Sequence, residues 1–274
     1  MRIIGRFLLL AVLSSAAMAQ TQFKPGFNLF SPEQDVEIGR QSAREVERQM
    51  PVIGNREIQN YITRVGDRLA AQTPGPDFPY QFKVVDVMEV NAFALPGGFM
   101  YINRGLIEAA GSEAELAGVM AHEISHVALR HGTNQASKAY LAQAGLGLLG
   151  ALLGGGGGST EQIIGAVGGF GLNATFLKFS RDAERQADLL GAQILAKAGY
   201  DPMAMAEFFE HLREMQGRDP GGLERFFSSH PAPADRSEHV RREVQMLKVS
   251  PKPPSGNFQR IQSILKAMPK PRGR

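Results

Sequence analysis

Residues 121–126 read Ala121-His122-Glu123-Ile124-Ser125-His126, and the apolar spacing of 113–130 predicts one helix around them. Residues four apart share a helical face, so His122 and His126 can offer two ring nitrogens to a single metal ion, with Glu123 beside them. This is the HExxH arrangement, in which two neutral imidazoles hold Zn²⁺ and an adjacent carboxylate takes a proton from the water on the metal. Ser112 and Glu115 form an SxxE capping box at the start of the helix, Leu116, Val119, Met120 and Val127 are its expected core face, and Gly132 reads as its stop.

A zinc hydrolase of this type needs a third protein ligand and leaves a fourth position for water. Glu184, near the start of a helix capped by Ser180 and ended by Gly199, is the strongest candidate, although spacing alone leaves other carboxylates open. Asp188 lies one helical turn further on the same face, placed to accept a hydrogen bond from the far nitrogen of a liganding histidine, His122. His131 is the other conceivable ligand. It follows His126 by five residues without the glycine of the longer HExxHxxGxxH pattern, and reads instead as a histidine at the favourable C-terminal end of the helix dipole.

Working outward, Ser31 and Pro32 start a polar helix to about Met50. A second helix after Asn55 carries Ile58, Tyr61, Ile62, Val65 and Leu69 on one stripe. Residues 81–87 read as a strand with apolar residues on both faces, hence an inner strand, and 91–102 (NAFALPGGFMYI) as a hairpin turning at Pro96-Gly97-Gly98. An edge strand at Asn91, Ala92, Phe93 and Ala94 could bind an extended peptide through its free backbone groups. Residues 141–158 are almost wholly Ala, Gly and Leu. A membrane span is the rival there to an apolar flap, which also gives 141–171 as a surface for peripheral membrane contact. Asp201-Pro202 starts a helix to Gln216, a charged helix covers 234–247, and a Pro-rich linker at 249–257 leads to a last helix from Phe258 to Met268 and a basic tail.

Residues 1–19 read as a secretory signal: Arg2 and Arg6, the apolar run 7–13, then Ala17-Met18-Ala19 at the cut. The chain divides into that leader, a metallopeptidase domain at 20–248, and the linker, short helix and tail at 249–274. Of 30 basic and 27 acidic residues, removal of Arg2 and Arg6 leaves 28 against 27, a net of +1 that argues, with the export signal, against a nucleic-acid partner. There are no cysteines, which excludes disulfide staples and thiolate zinc sites and leaves any metal to His and carboxylate.

NAFALPGG from Asn91, HEISH from His122, SRDAERQAD from Ser180 and SSHPAPADR from Ser228, in that order, resemble the zinc metallopeptidase family of the CAAX prenyl endopeptidase, HtpX and BepA. The resemblance implies a zincin-like α+β domain, mainly helical with a small sheet and an active-site helix, and one zinc ion per chain at His122, His126 and Glu184 with Glu123 as general base. It also implies that His230 and Arg236 come close to the metal, stabilising the transition state or, for His230, occupying the fourth position at rest. Where HtpX resembles a membrane-spanning pair, this chain has only its Gly-rich stretch. The expected activity is periplasmic hydrolysis of misfolded or unassembled envelope proteins, with protein or peptide substrates and outer-membrane assembly components as candidate partners. The rival is an envelope chaperone or assembly factor that seldom cuts.

Overall fold

The structure, a computed structural model, describes residues 21–151, 179–218, 230 and 236–271. The leader, the Gly-rich stretch beyond residue 151, and the SSHPAPADR segment apart from His230 and Arg236 lie outside the described residues.

Helix α1 (Pro32–Gln49) starts at Ser31, whose hydroxyl accepts from the Gln34 amide while the Gln34 side chain accepts from the Ser31 amide, a complete capping box. Helix α2 (Arg56–Ala70) buries the whole stripe Ile58, Tyr61, Ile62, Val65 and Leu69 against the main core. Three strands follow: β1 (Gln81–Val85), β2 (Ala92–Leu95) and β3 (Phe99–Asn103), with β2 and β3 joined at Pro96–Gly98. The sheet order is β1-β3-β2, β1 parallel and β2 antiparallel to β3.

The inner strand is therefore β3, not β1. The double-sided apolar pattern of β1 comes from what lies on its two faces: Phe82 and Val84 meet the main core with α2, and Val85 faces the cluster of Ala43, Val46 and Tyr101. Its outer edge is partly closed by the preceding loop, since the Ile53 amide donates to the Val84 carbonyl and the Asp86 amide to that of Pro51.

Helix α1 lies directly on the β2–β3 turn. A Cβ added at Gly39 would stand 1.9 Å from the Pro96 carbonyl oxygen, which is backbone and cannot swing aside. Gly39→Ala should therefore lower the thermal unfolding midpoint. Overpacking costs ~1–3 kcal/mol, against the roughly 0.5–1 kcal/mol that Gly→Ala normally gains in a helix. A raised midpoint would show that α1 does not need this close approach.

Short helix α3 (Arg104–Ala109) leads to α4 (Glu113–Ala128), the HExxH helix, which is buried on nearly every side. Ser112 caps it by accepting from the Glu115 amide, while the Glu115 carboxylate accepts from Gly111 rather than from Ser112. Gly132 does not stop this helix. α4 ends at Ala128, Arg130 adopts a left-handed φ of 56°, and a new helix, α5 (His131–Ala151), begins at once and takes in the start of the Gly-rich stretch. A non-glycine residue held there costs about 1–3 kcal/mol. The Arg130 guanidinium opposes that cost by pairing with both oxygens of buried Asp35 at 2.6 and 3.1 Å and donating to the Phe30 carbonyl.

Helices α6 (Arg181–Ala198) and α7 (Met203–Arg218) pack on α4, and α8 (Arg236–Val244) packs on both. Helix α9 (Phe258–Ala267) sends Phe258, Ile261 and Leu265 into the main core. Buried Arg104 closes its last turn, donating to the carbonyls of Leu265, Met268 and Pro269. Among the described residues no helix is long and apolar enough to cross a membrane.

Candidate active site

The HExxH face of α4 meets the first two turns of α6. The two helices pack closely at Gly191, where a Cβ would stand 2.6 Å from Met205 Cε and 3.2 Å from the His122 amide nitrogen, so a bulkier residue would force a shift. This approach sets Glu184 among the histidines. The Nε2 atoms of His122 and His126 lie 3.1 Å apart, and His230 Nδ1 is 3.3 Å from His122 Nε2. Glu184 Oε1 is 3.4 Å from His126 Nε2 and 3.1 Å from His230 Nδ1, and Glu184 Oε2 is 3.5 Å from His122 Nε2. All four residues are buried, and their donor atoms fall within 4.8 Å of one another.

These separations fit a metal. Zinc bonds to His or carboxylate of ~2.0–2.1 Å in tetrahedral geometry put donors roughly 3.3 Å apart. Three ring nitrogens that face one another with lone pairs have nothing to gain from their mutual approach unless a cation lies between them. The Glu184 Oε2 atom is buried without a hydrogen bond, since Arg236 Nη1 stands 3.4 Å away in poor geometry.

Behind the donors lies a second layer. Asp188 Oδ1 is 2.9 Å from His122 Nδ1. Arg236 grips Asp188 bidentately, Nε to Oδ2 at 2.8 Å and Nη2 to Oδ1 at 2.6 Å, and stacks over the Phe209 ring at 4.1 Å. Its Nε and Nη2 are thus committed to Asp188, while Nη1 stands beside Glu184 without a hydrogen bond. His126 is flanked by His131, Nδ1 to Nδ1 at 3.0 Å, and stacks on Phe179 with centroids 4.0 Å apart.

Electrostatics follow from this burial. Desolvation would raise the Glu184 carboxyl, but His230, His122 and His126 hold it well below the usual carboxylate range. Burial opposes a charged His122, yet hydrogen bonds to Asp188 and Glu184 push it up to about 9. Desolvation drives His126 well down and His131 down to about 4. Glu123 is raised, chiefly by desolvation, with its Oε1 3.2 Å from His230 Nε2 and the Ala94 amide facing the carboxylate.

The structure thus brings together His122, Glu123, His126, Glu184, Asp188, His230 and Arg236 from three separate stretches of sequence. The edge strand needs a finer reading. The Asn91 carbonyl accepts from the Asn103 amide, so ladder alternation turns Phe93 toward β3 as well, and the backbone groups of Ala92 and Ala94 point away from β3, on the side where the Ala94 amide meets Glu123 of α4. His131 is not at the C-terminal end of a helix dipole. It opens α5 and lies against His126. His131, Gln186, Phe179 and Phe209 were not assigned from sequence. Only His131 carried a signal, its spacing from His126, and the intervening helix break hid its meaning.

Comparison with known proteins agrees with this geometry. The family model described as peptidase family M48 matches residues 56–244. A beta-barrel assembly-enhancing protease of Yersinia pestis is 29% identical over 237 residues, 83% of this chain and 47% of that one. The metalloprotease YcaL of Escherichia coli is 28% identical over 193 residues, 69% of this chain and 73% of that one, and the mitochondrial metalloendopeptidase OMA1 of Schizosaccharomyces pombe is 29% identical over 187 residues, 66% and 51%. The chain spans about half the length of the beta-barrel assembly-enhancing proteases it matches. With a matched family model over most of its length and a buried His-His-Glu-His donor set able to hold a metal ion, the chain belongs to peptidase family M48.

Proposed function

We propose that this chain is exported to the periplasm and hydrolyses peptide bonds of misfolded or unassembled envelope proteins. In this reading His122, His126 and Glu184 hold one zinc ion, and His230 fills the fourth position at rest. The observation that carries it is the set of four buried donors at separations that suit tetrahedral zinc, with Glu123 between them and the Ala94 amide of β2. The leader-like start and the printed description of relatives as beta-barrel assembly-enhancing proteases support the compartment and the substrate class.

Zinc supplies Lewis acidity to water and to the scissile carbonyl. The chain's residues do the rest. Extended substrate lies along β2, where Ala92 and Ala94 offer backbone groups. Glu123 takes a proton from the attacking water and passes it to the leaving amine as the C–N bond breaks. Asp188 holds the far nitrogen of His122 and Arg236 holds Asp188, so Arg236 orients the site through that brace. Substrate must displace His230, whose Nε2 also occupies Glu123.

Purified protein should contain about one zinc per chain and digest casein, with the digestion abolished by a chelator and restored by zinc. Metal-replete protein that cannot cut casein would favour the chaperone reading, which the capped site also accommodates. His230→Ala tests whether His230 is a resting ligand. It should retain zinc, lose one nitrogen from the zinc-edge absorption spectrum and cut small peptides faster than wild type. An unchanged spectrum with kcat lowered on the order of 10²-fold would instead make His230 an oxyanion donor only.

A further inference from the structure

We propose that His131 and Gln186 are positioning residues that fix His126 in the tautomer able to bind metal, forming a neutral counterpart to the Asp188–Arg236 brace behind His122. The inference rests on His126 being a zinc ligand. His131 Nδ1 stands 3.0 Å from His126 Nδ1, and His131 Nε2 stands 3.3 Å from Gln186 Oε1. Only one of the two facing nitrogens can carry a proton. If His126 Nε2 is to offer its lone pair to zinc, the proton sits on His126 Nδ1 and donates to His131 Nδ1. The His131 proton is then on Nε2, and the Gln186 amide oxygen accepts it. Each link has one donor and one acceptor. The reverse order would put a proton on His126 Nε2, pointing at His122 Nε2 3.1 Å away, where the metal must lie.

Two further features fit. The left-handed Arg130, an unusual conformation for a bulky residue, is what turns the chain so that His131 folds back against His126, and its bond to Asp35 holds the turn. Gln186 lies two residues from Glu184 and two from Asp188. One stretch of α6 therefore supplies a ligand, the outer partner of His122 and, through His131, the end of the chain behind His126.

Charge explains why this brace is neutral. Three buried carboxylates, Glu123, Glu184 and Asp188, are balanced by the Arg236 guanidinium and a divalent cation. A carboxylate behind His126 would add a fourth buried negative charge with no partner, whereas an imidazole and an amide add none.

The test measures zinc affinity by chelator competition and the His126 ring nitrogens by ¹⁵N NMR of the zinc-loaded protein. His131→Ala should weaken affinity by about 10- to 100-fold, the range for outer partners of metal ligands. His131→Asn, whose Oδ1 can accept at the place of Nδ1, should recover most of that loss and restore a hydrogen-bonded Nδ1–H signal on His126. A merely structural role would lower the melting point of both variants without separating their affinities. Wild-type affinity in His131→Ala, or Asn no better than Ala, overturns the inference. If His131→Ala does not fold, Gln186→Leu carries the test: weaker zinc binding with a shifted His131 Nε2 signal is expected, and wild-type affinity with unchanged ring signals overturns it. His126→Ala distinguishes this failure from that of the ligand assignment itself, because zinc retained in that variant removes His126 from the metal altogether.

Discussion

Glu123→Gln is expected to keep one zinc per chain and to lose proteolysis by roughly 10²- to 10⁴-fold, the contribution of a positioned general base. The substitution is nearly isosteric, and Glu123 is not one of the four converging donors, so the metal site has no reason to open. What disappears is proton acceptance next to the reacting atoms. The wild-type carboxyl is raised, chiefly by desolvation, which suits a group that must take up a proton and release it again within one turnover. Metal analysis together with peptide kinetics checks this. If zinc leaves with the activity, Glu123 has been given the wrong role, and its contact with His230 Nε2 serves the coordination itself.

Much of this was legible in the sequence, for local reasons. The α2 stripe, the Ser31 and Ser180 caps and the stop at Gly199 are set by neighbours within a turn or two, and the structure has them where periodicity puts them. The elements that differ are set from far away. The α4 break depends on Arg130 reaching Asp35, 95 residues earlier, a partnership no window of sequence displays. The edge position of β1 was hidden because helices and loops, not strands, cover its apolar faces.

The site divides in the same way. The spacing of His122 and His126 is visible within one helix, and so is that of Glu184 and Asp188, but nothing local says that the two helices touch. Part of their contact is made at Gly191, a residue that carries no chemistry and so attracts no notice in the sequence. His230 has no local signal at all: only the resemblance pointed to it, and the structure brings it to the same point as the other donors. His131 shows the opposite failure. Its spacing from His126 was noticed, but a continuous helix to Gly132 gave it the wrong surroundings.

Glu184→Ala is expected to remove zinc and activity together, a larger effect than any change in the outer layer. Its carboxylate touches all three histidines at the site through one oxygen or the other, so it is the single negative charge shared by the whole donor set. Without it, His122 loses one of the contacts that favour positive charge there, and Arg236 Nη1 loses its nearest carboxylate. Glu184→Gln should fail almost as badly, because it preserves volume but not charge, and that result would separate lost coordination from a collapsed cavity. Asp188→Asn provides the scale. It leaves the coordinating atoms in place while weakening the hold on His122 Nδ1, so affinity should fall by only about 10- to 100-fold and activity should return in excess zinc. Chelator competition and metal analysis on the three variants, each checked for folding by circular dichroism, give the ranking. Full zinc occupancy and activity in Glu184→Ala would detach α6 from the metal and leave the third ligand to be sought elsewhere. Equal losses in Glu184→Ala and Asp188→Asn would mean that α6 serves His122 alone, through Asp188.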